Sequence, residues 1–503
     1  MDGTKREGFM SKDSSQFKRE LDLTSATMIV IGSMIGSGIF IVSADIARTV
    51  GSPGYLMIVW LVTGLMTFFA ALSYGELAGM MPQAGGQYVY LREAYNPLVG
   101  FLYGWTMFLV IQTGTIAAVA VAFAKFLLVF IPGIDENSAL FTAYGFHFTH
   151  AKLIAILSIL LLTAVNTRGL RTGKWVQNIF TSTKTLALIG LIALTLLIGR
   201  NAAAVSANGT DCWTPGWTFM AGGAVDNVQS LSGWMLLAAI GVAMVGSLFS
   251  SDAWNNITFT AAEVRDPQRT IPRAMALGTL IVVGLYLLAN WGYLLTLPLR
   301  GQPAGADAFA RGIQFAAADR VGTAAAGVIF GSAASSIMAV LILISTFGCN
   351  NGLILTGARV YYAMSRDRLF FQSAGQLNRH AVPGAALIVQ GLWASLLCLT
   401  GTYGELLEYV VFAVLIFYIL TITGIFVLRV KRPAVARPYR AWGFPYIPLL
   451  YILAASAICI DLLCFKPRFT VRGMMIVLVG IPVFYLWKMI VAKHNDVVKK
   501  EVL

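Results

Sequence analysis

The sequence predicts an all-α integral membrane protein of twelve transmembrane helices, two of them discontinuous, and three observations carry that expectation. Of the 503 residues, 57% are hydrophobic and 12% charged, with a mean hydropathy of +0.74, whereas a soluble domain carries about 25% charged residues. Twelve stretches reach the roughly 20 apolar residues that a span requires, and no aqueous domain fits between them. Finally, glycine-containing interruptions occur at matching places in two apolar runs: M-I-G-S at 34–37 returns as M-V-G-S at 244–247, each followed by a phenylalanine, Phe40 or Phe249. Paired interruptions of this kind point to a midplane binding site between repeats.

Taken in order, residues 1–20 are polar, mixed in charge and without an apolar period, and read as a flexible tail. No apolar core precedes residue 20, so no cleaved leader is expected. Asp22, Thr24 and Ser25 offer capping chemistry for a first span at about 23–47. It is broken by I-G-S-M-I-G-S-G-I-F at 31–40, where three glycines each cost about 1 kcal/mol against alanine in a helix. The second span (54–80) starts after a G-S-P-G turn and ends near Glu76 in a Gly/Pro-rich connection. Glu76 reads chiefly as a helix-end charge and secondarily as a gate or proton group.

Spans three to five are expected at 97–131, 151–167 and 175–199. The fifth contains Lys184. From Lys174 to Lys184 a helix climbs roughly 15 Å, too far for snorkelling, so Lys184 is expected inside the protein, where a charge marks function by default. Residues 201–230 read as a polar outer loop. Spans six to twelve follow at 231–262 (broken at 246–252), 271–297, 332–364, 384–400, 403–428, 443–465 and 473–491, and 303–330, too charged to cross, reads as helices on the outer face.

The net charge of +13 raises the question of nucleic acid, and its distribution answers it. With the first residue inside, inner connections hold runs such as Arg168, Arg171 and Lys174, or Arg429, Lys431, Arg432, Arg437 and Arg440, while outer ones hold few beyond the cluster Lys466, Arg468 and Arg472. That is the bias of cytoplasmic loops, with both termini cytoplasmic. The five cysteines show neither a metal spacing nor a disulfide framework. No P-loop, H-E-x-x-H or G-x-S-x-G is present, all four histidines fall in loops or the tail, and no pore ring or filter repeat suggests a channel. Neither a cofactor nor a metal is expected, and the chain reads as no enzyme.

The physics of the two breaks favours a zwitterion. A helix restarting at 36–38 presents N–H groups and a partial positive charge suited to a carboxylate. The break at 246–250 frees carbonyl oxygens for an ammonium.

The motifs themselves are recognisable. G-S-M-I-G-S-G-I-F (32–40), G-S-P-G (51–54), Y-G-E-L (74–77), P-Q-A-G-G-Q-Y (82–88), F-S-S-D-A-W-N (249–255), E-V-R-D-P-Q-R-T-I-P-R (263–273), F-G-C-N-N-G (347–352) and A-R-V-Y-Y-A-M-S-R-D (358–367) resemble the amino acid-polyamine-organocation superfamily. Within it they look most like the L-type amino acid transporter family and its prokaryotic relatives, over roughly residues 20–430. The resemblance implies a leucine-transporter-like, five-plus-five inverted repeat, here 21–200 and 231–430, with two extra helices in 431–492 and a cytoplasmic tail at 493–503. It also implies that Ile35, Gly36, Ser37 and Gly38 hold the substrate carboxylate and that Gly246, Phe249, Ser250 and Ser251 surround the ammonium. Phe249 then serves as gate, Phe412 as a tenth-span aromatic, and Lys184 as the family's fifth-span lysine, replacing a sodium ion between the first and eighth helices. Relatives carry an Ala and an aromatic where this chain has Ser250 and Ser251, and a Gly where it has Ala253, so the pocket is expected to be wider or more polar.

These implications amount to sodium-independent transport of neutral or broad-range L-amino acids across the plasma membrane, by exchange or uniport. The alternatives are a proton-coupled importer using Glu76 or Lys184, and a sensor that binds without moving its ligand. Animal family members join a single-pass glycoprotein through a cysteine between spans three and four. Residues 131–150 contain none, so no disulfide-linked heavy chain is expected and the state is monomer or homodimer, with the bilayer as surroundings.

Overall fold

The computed structural model describes residues 17–501, apart from 132, 135–137, 144–145, 222–223 and 401–402. The tail expected at 1–20 thus falls largely outside the described residues. Its end does not hang free: Glu20 and Leu21 donate their amides to the Glu263 carbonyl at 2.9 and 3.0 Å, and Arg265 N donates to Leu21 O at 2.8 Å. Phe17 meets Tyr362 edge to face with centroids 4.9 Å apart.

Helix α1 spans Leu23–Met34, its first turn capped by Asp22, which accepts from Ser25 N at 2.9 Å. Burial costs the Asp22 carboxyl little against that bond, which holds it below the ordinary carboxylate range. After Ile35–Ser37 the chain resumes as α2 (Gly38–Ile41) and α3 (Ser43–Val50). Helices α4 (Pro53–Met80), α5 (Gln87–Ala94), α6 (Pro97–Thr106) and α7 (Gln112–Leu127) follow, the last two fused through a π-helical turn at Met107–Ile111. Proline at the start of α4 and α6 suits a helix N-terminus, where its missing N–H is no loss.

Strands β1 (Ala139–Ala143) and β2 (Phe146–Thr149) pair antiparallel, then α8 (His150–Asn166), α9 (Leu170–Leu197) and α10 (Ala202–Thr210) lead to a second hairpin, β3 (Gly216–Ala221) with β4 (Ala224–Ser230). The outer loop expected at 201–230 is therefore a helix and a hairpin, and the fold departs from all-α at these two places. Trp217, Phe219, Val225 and Val228 give the second hairpin the residue types that suit a pleated surface.

Helix α11 (Gly233–Ser250) continues past a kink as a 3-10 helix, Trp254–Glu263. Then come α12 (Pro267–Thr296), the short α13 (Ala308–Arg311), α14 (Val321–Phe330) and α15 (Ala334–Arg366). The eighth span, α15, has the 33 residues expected for it and lies two positions further on than 332–364, and α14, placed in the 303–330 stretch, is an apolar helix whose Gly322 packs on Phe40. Helices α16 (Gly384–Thr400), α17 (Tyr403–Lys431), α18 (Tyr446–Phe465) and α19 (Pro467–Glu501) complete the chain. Among the described residues ten helical stretches are long and apolar enough to cross a membrane, and α8 and α16 are shorter apolar helices.

The interior is formed by α1, α7, α12 and α15, and α18 and α19 lie outside, with Leu450, Leu453, Ile460, Met475 and Ile490 more than half exposed. An apolar exterior of this kind is what a bilayer-facing surface requires.

Candidate functional site

Both breaks exist, and they touch. A Cβ built on Gly38 would lie 2.0 Å from Ser250 Oγ and 2.7 Å from Ser250 Cβ, so the outer half of the first broken helix seats directly on the last turn of α11. Only a residue without a side chain allows that approach.

The second break falls at the end of the stretch expected at 246–252, not at its glycine. Helix α11 runs through Ser250, and the chain leaves helical geometry at Ser251–Ala253, where Ala253 adopts φ +66°. Gly246 is a packing glycine: its missing side chain makes room for Val42, whose Cγ1 would stand 2.4 Å from an added Cβ. A left-handed alanine costs on the order of 1 kcal/mol, and the kink is held at that expense by its surroundings.

The polar groups at the breaks are largely committed. Lys184, 2% exposed on α9, donates to the carbonyls of Gly32 (2.6 Å), Ile35 (2.5 Å) and Ser345 (3.3 Å). Ser345 Oγ donates to Gly36 O at 3.0 Å and Cys349 Sγ to Ser33 O at 3.1 Å. The carbonyl oxygens freed where α1 stops are therefore gathered towards one buried ammonium and the eighth helical region, while the first turn of α2 faces α11. Ser250 turns its hydroxyl back to Gly246 O (2.9 Å), and Ser251 N donates to Ser247 O at 3.0 Å.

Two small cavities, each with room for about one water (20 Å³), meet at Asp252. One is lined by Gln87, Gln112, Asn255 and Tyr418 among others, the second by Phe249, Ser251, Trp254, Val411 and Tyr451. Phe249 is 9% exposed, so its ring closes the wall of the second cavity. Phe412 is buried on α17 but lines neither; its neighbour Val411 does. Asp252 accepts a 2.5 Å hydrogen bond from the Tyr418 hydroxyl. Sequence reasoning passed over this carboxylate, although an acid directly after F-S-S inside an apolar run is a readable signal.

Glu76 belongs elsewhere. Its carboxylate accepts from Arg429 Nε (3.0 Å) and Nη2 (2.7 Å) and from Ala441 N (2.8 Å), with Arg437 Nε at 3.3 Å. It fastens the 433–444 connection to the C-terminal end of α4, away from both breaks. Two further ionic clusters join neighbouring elements. Arg359 and Glu263 pair at 2.9 Å with each side chain 1% exposed. Arg92 bonds Glu93 and Asp367, and Arg432 bonds Glu93 at 2.6 Å. Burial opposes ionisation of Glu93, but the bonds from Arg432 and Arg92 outweigh it and hold the carboxyl below its ordinary range. Among the described residues no group of three or more His, Cys, Asp or Glu is arranged to hold a metal.

A multi-pass helical bundle with two interrupted helices in mutual contact defines the class of membrane permeases built around broken helices. Residues 21–487 match the amino acid permease family, and the chain belongs to it. Large neutral amino acids transporter small subunit 2 of Oryctolagus cuniculus is 30% identical over 476 residues, 93% of this chain and 80% of that protein. The human protein of the same name is 29% identical with the same coverage. The b(0,+)-type amino acid transporter 1 of Mus musculus is 28% identical over 464 residues, 90% of this chain and 85% of that protein. The resemblance drawn from the motifs to the amino acid-polyamine-organocation superfamily and its L-type branch stands on these matches.

Proposed function

We propose that this protein is a secondary transporter of L-amino acids, neutral or broad in range, that works by alternating access as a sodium-independent exchanger or uniporter. The observation that carries the reading is the seating of Gly38 on Ser250, which brings two interrupted helices to one place. The relatives are named as amino acid transporters, in agreement with it. In this reading the substrate carboxylate is received by the backbone of Ile35, Gly36, Ser37 and Gly38 as α2 begins, where first-turn N–H groups have no partner within the helix. The ammonium is received near the end of α11, by the stretch from Gly246 through Ser250 and Ser251, and Phe249 shuts the site.

Lys184 supplies a fixed positive charge between the first and eighth spans, and its three carbonyl partners support that role. A sodium ion is then superfluous. The three partner residues of Glu76, Arg429, Arg437 and Ala441, favour a structural over a proton-carrying function. With α8 and α16 counted as spans, the bundle has twelve, in two inverted sets of five plus α18 and α19, with both termini cytoplasmic in the plasma membrane. The absence of a cysteine from 131–150 argues against a disulfide-linked heavy chain, and the transporter acts as a monomer or homodimer.

Uptake of each of the twenty amino acids into proteoliposomes tests this. Uptake that needs internal substrate supports exchange, and uptake without it supports uniport. Uptake that follows a pH gradient, or binding with no uptake, overturns the proposal in favour of symport or sensing.

A further inference from the structure

Tyr286 on α12 is 1% exposed, and its hydroxyl oxygen stands 3.1 Å from Met34 O and 3.1 Å from Ser250 O. Those carbonyls belong to the last helical residues before the first and the second break. One side chain therefore touches both interrupted helices at the point of interruption. Its ring is fixed in place by Trp60, edge to face at 5.5 Å. The next turn of α12 holds the other side of the first break: Asn290 Oδ1 accepts from Ser43 Oγ at 2.5 Å, at the start of α3, and Trp60 Nε1 donates to the same hydroxyl at 3.3 Å.

A phenol carries one proton, so the Tyr286 hydroxyl donates to one of the two carbonyls at a time, and only while both stay at their present spacing can it serve either; a change in their separation takes one of them out of its reach. In a buried site such a contact is made at the full penalty of desolvation if it is lost.

We propose that Tyr286 is a positioning residue that yokes the two breaks, setting the spacing between the backbone that receives a carboxylate and the backbone that receives an ammonium before substrate enters. This deepens the transport reading above and rests on it. A ligand anchored at two points gains affinity when the two halves of its site are preorganised, because it no longer has to order them itself. Without the yoke, the substrate becomes the link between the two helices and supplies that ordering from its own binding energy.

The test is exchange uptake of L-leucine into leucine-loaded proteoliposomes by the wild type and Tyr286→Phe, which deletes only the hydroxyl. The expected result is a half-saturating concentration raised about tenfold, the scale of one net hydrogen bond, with a much smaller fall in maximal rate, whatever the lost bond costs the unfolding midpoint in detergent. An unchanged half-saturating concentration, or a loss confined to maximal rate together with a lowered midpoint, overturns the proposal and leaves Tyr286 a packing residue. If the wild type moves a different amino acid of the twenty, the comparison is made with that one. A wild type that moves none of them refutes the transport reading itself.

Discussion

The Lys184 ammonium lies 2.5 Å from the carbonyl oxygen of Ile35, the residue at which the first span ceases to be helical. A buried cation spending its donors on main-chain carbonyls of two different spans is a tether between them, and removal of one partner from such a network costs more than a pairwise bond.

Lys184→Ala is therefore expected to insert and fold but to transport at less than about a tenth of the wild-type rate, the scale of a charge-assisted hydrogen bond. Wild-type uptake is expected to be equal in sodium and choline media. Strong sodium stimulation of the wild type, or a fully active variant, would show that the ammonium has no part in holding α1.

Contact between the breaks gives a second prediction. Gly38→Ala forces a methyl group into Ser250 and is expected to reduce uptake by at least tenfold, since overpacking by one methyl costs about 1–3 kcal/mol. Adding Ser250→Gly to the same chain removes the colliding Oγ and Cβ and should restore part of that uptake. A Gly38→Ala variant with ordinary uptake contradicts the close seating of the two helices.

Phe249→Ala opens the wall between the second cavity and α11, so water can reach a bound ligand. Transport is expected to fall by more than tenfold while weakened binding, read by isothermal titration, survives. The removed ring also costs about 3–5 kcal/mol of packing in a core setting, so the unfolding midpoint is measured alongside. Unaltered transport takes Phe249 out of the gate.

The buried pair of Arg359 and Glu263 has no water to fall back on. Arg359→Met strands a carboxylate and should cost about 3–5 kcal/mol, read as a lower unfolding midpoint in detergent, and Glu263→Gln in the same chain should recover most of the loss. Equal damage from the single and double variants would mean that the two charges do not compensate each other.

The spans and the first break were legible because hydropathy and glycine spacing are local signals. The second break is legible only as the stretch 246–252, because Gly246 and a kinking residue look alike in sequence, and only the position of Val42 shows that this glycine serves packing. The kink instead falls at Ala253, where nothing in the residue type announces a left-handed backbone. Lys184 could be singled out from depth alone. Tyr286 could not, since its two carbonyl partners lie on other helices and an aromatic in an apolar span is ordinary. The hairpin at 216–230 was hidden by its glycines and polar residues, which also describe a loop.

The stitching of residues 20 and 21 to Glu263 and Arg265 sets an order on biogenesis. The first span leaves the ribosome long before the residues that fasten its N-terminal end have been made, and a contact between segments so distant in sequence closes late. Until the sixth helix has been threaded into the bilayer, the nascent chain carries an open seam at that end of the bundle. A stalled or truncated product ending before residue 263 would expose the amides of Glu20 and Leu21 to the cell's quality-control machinery.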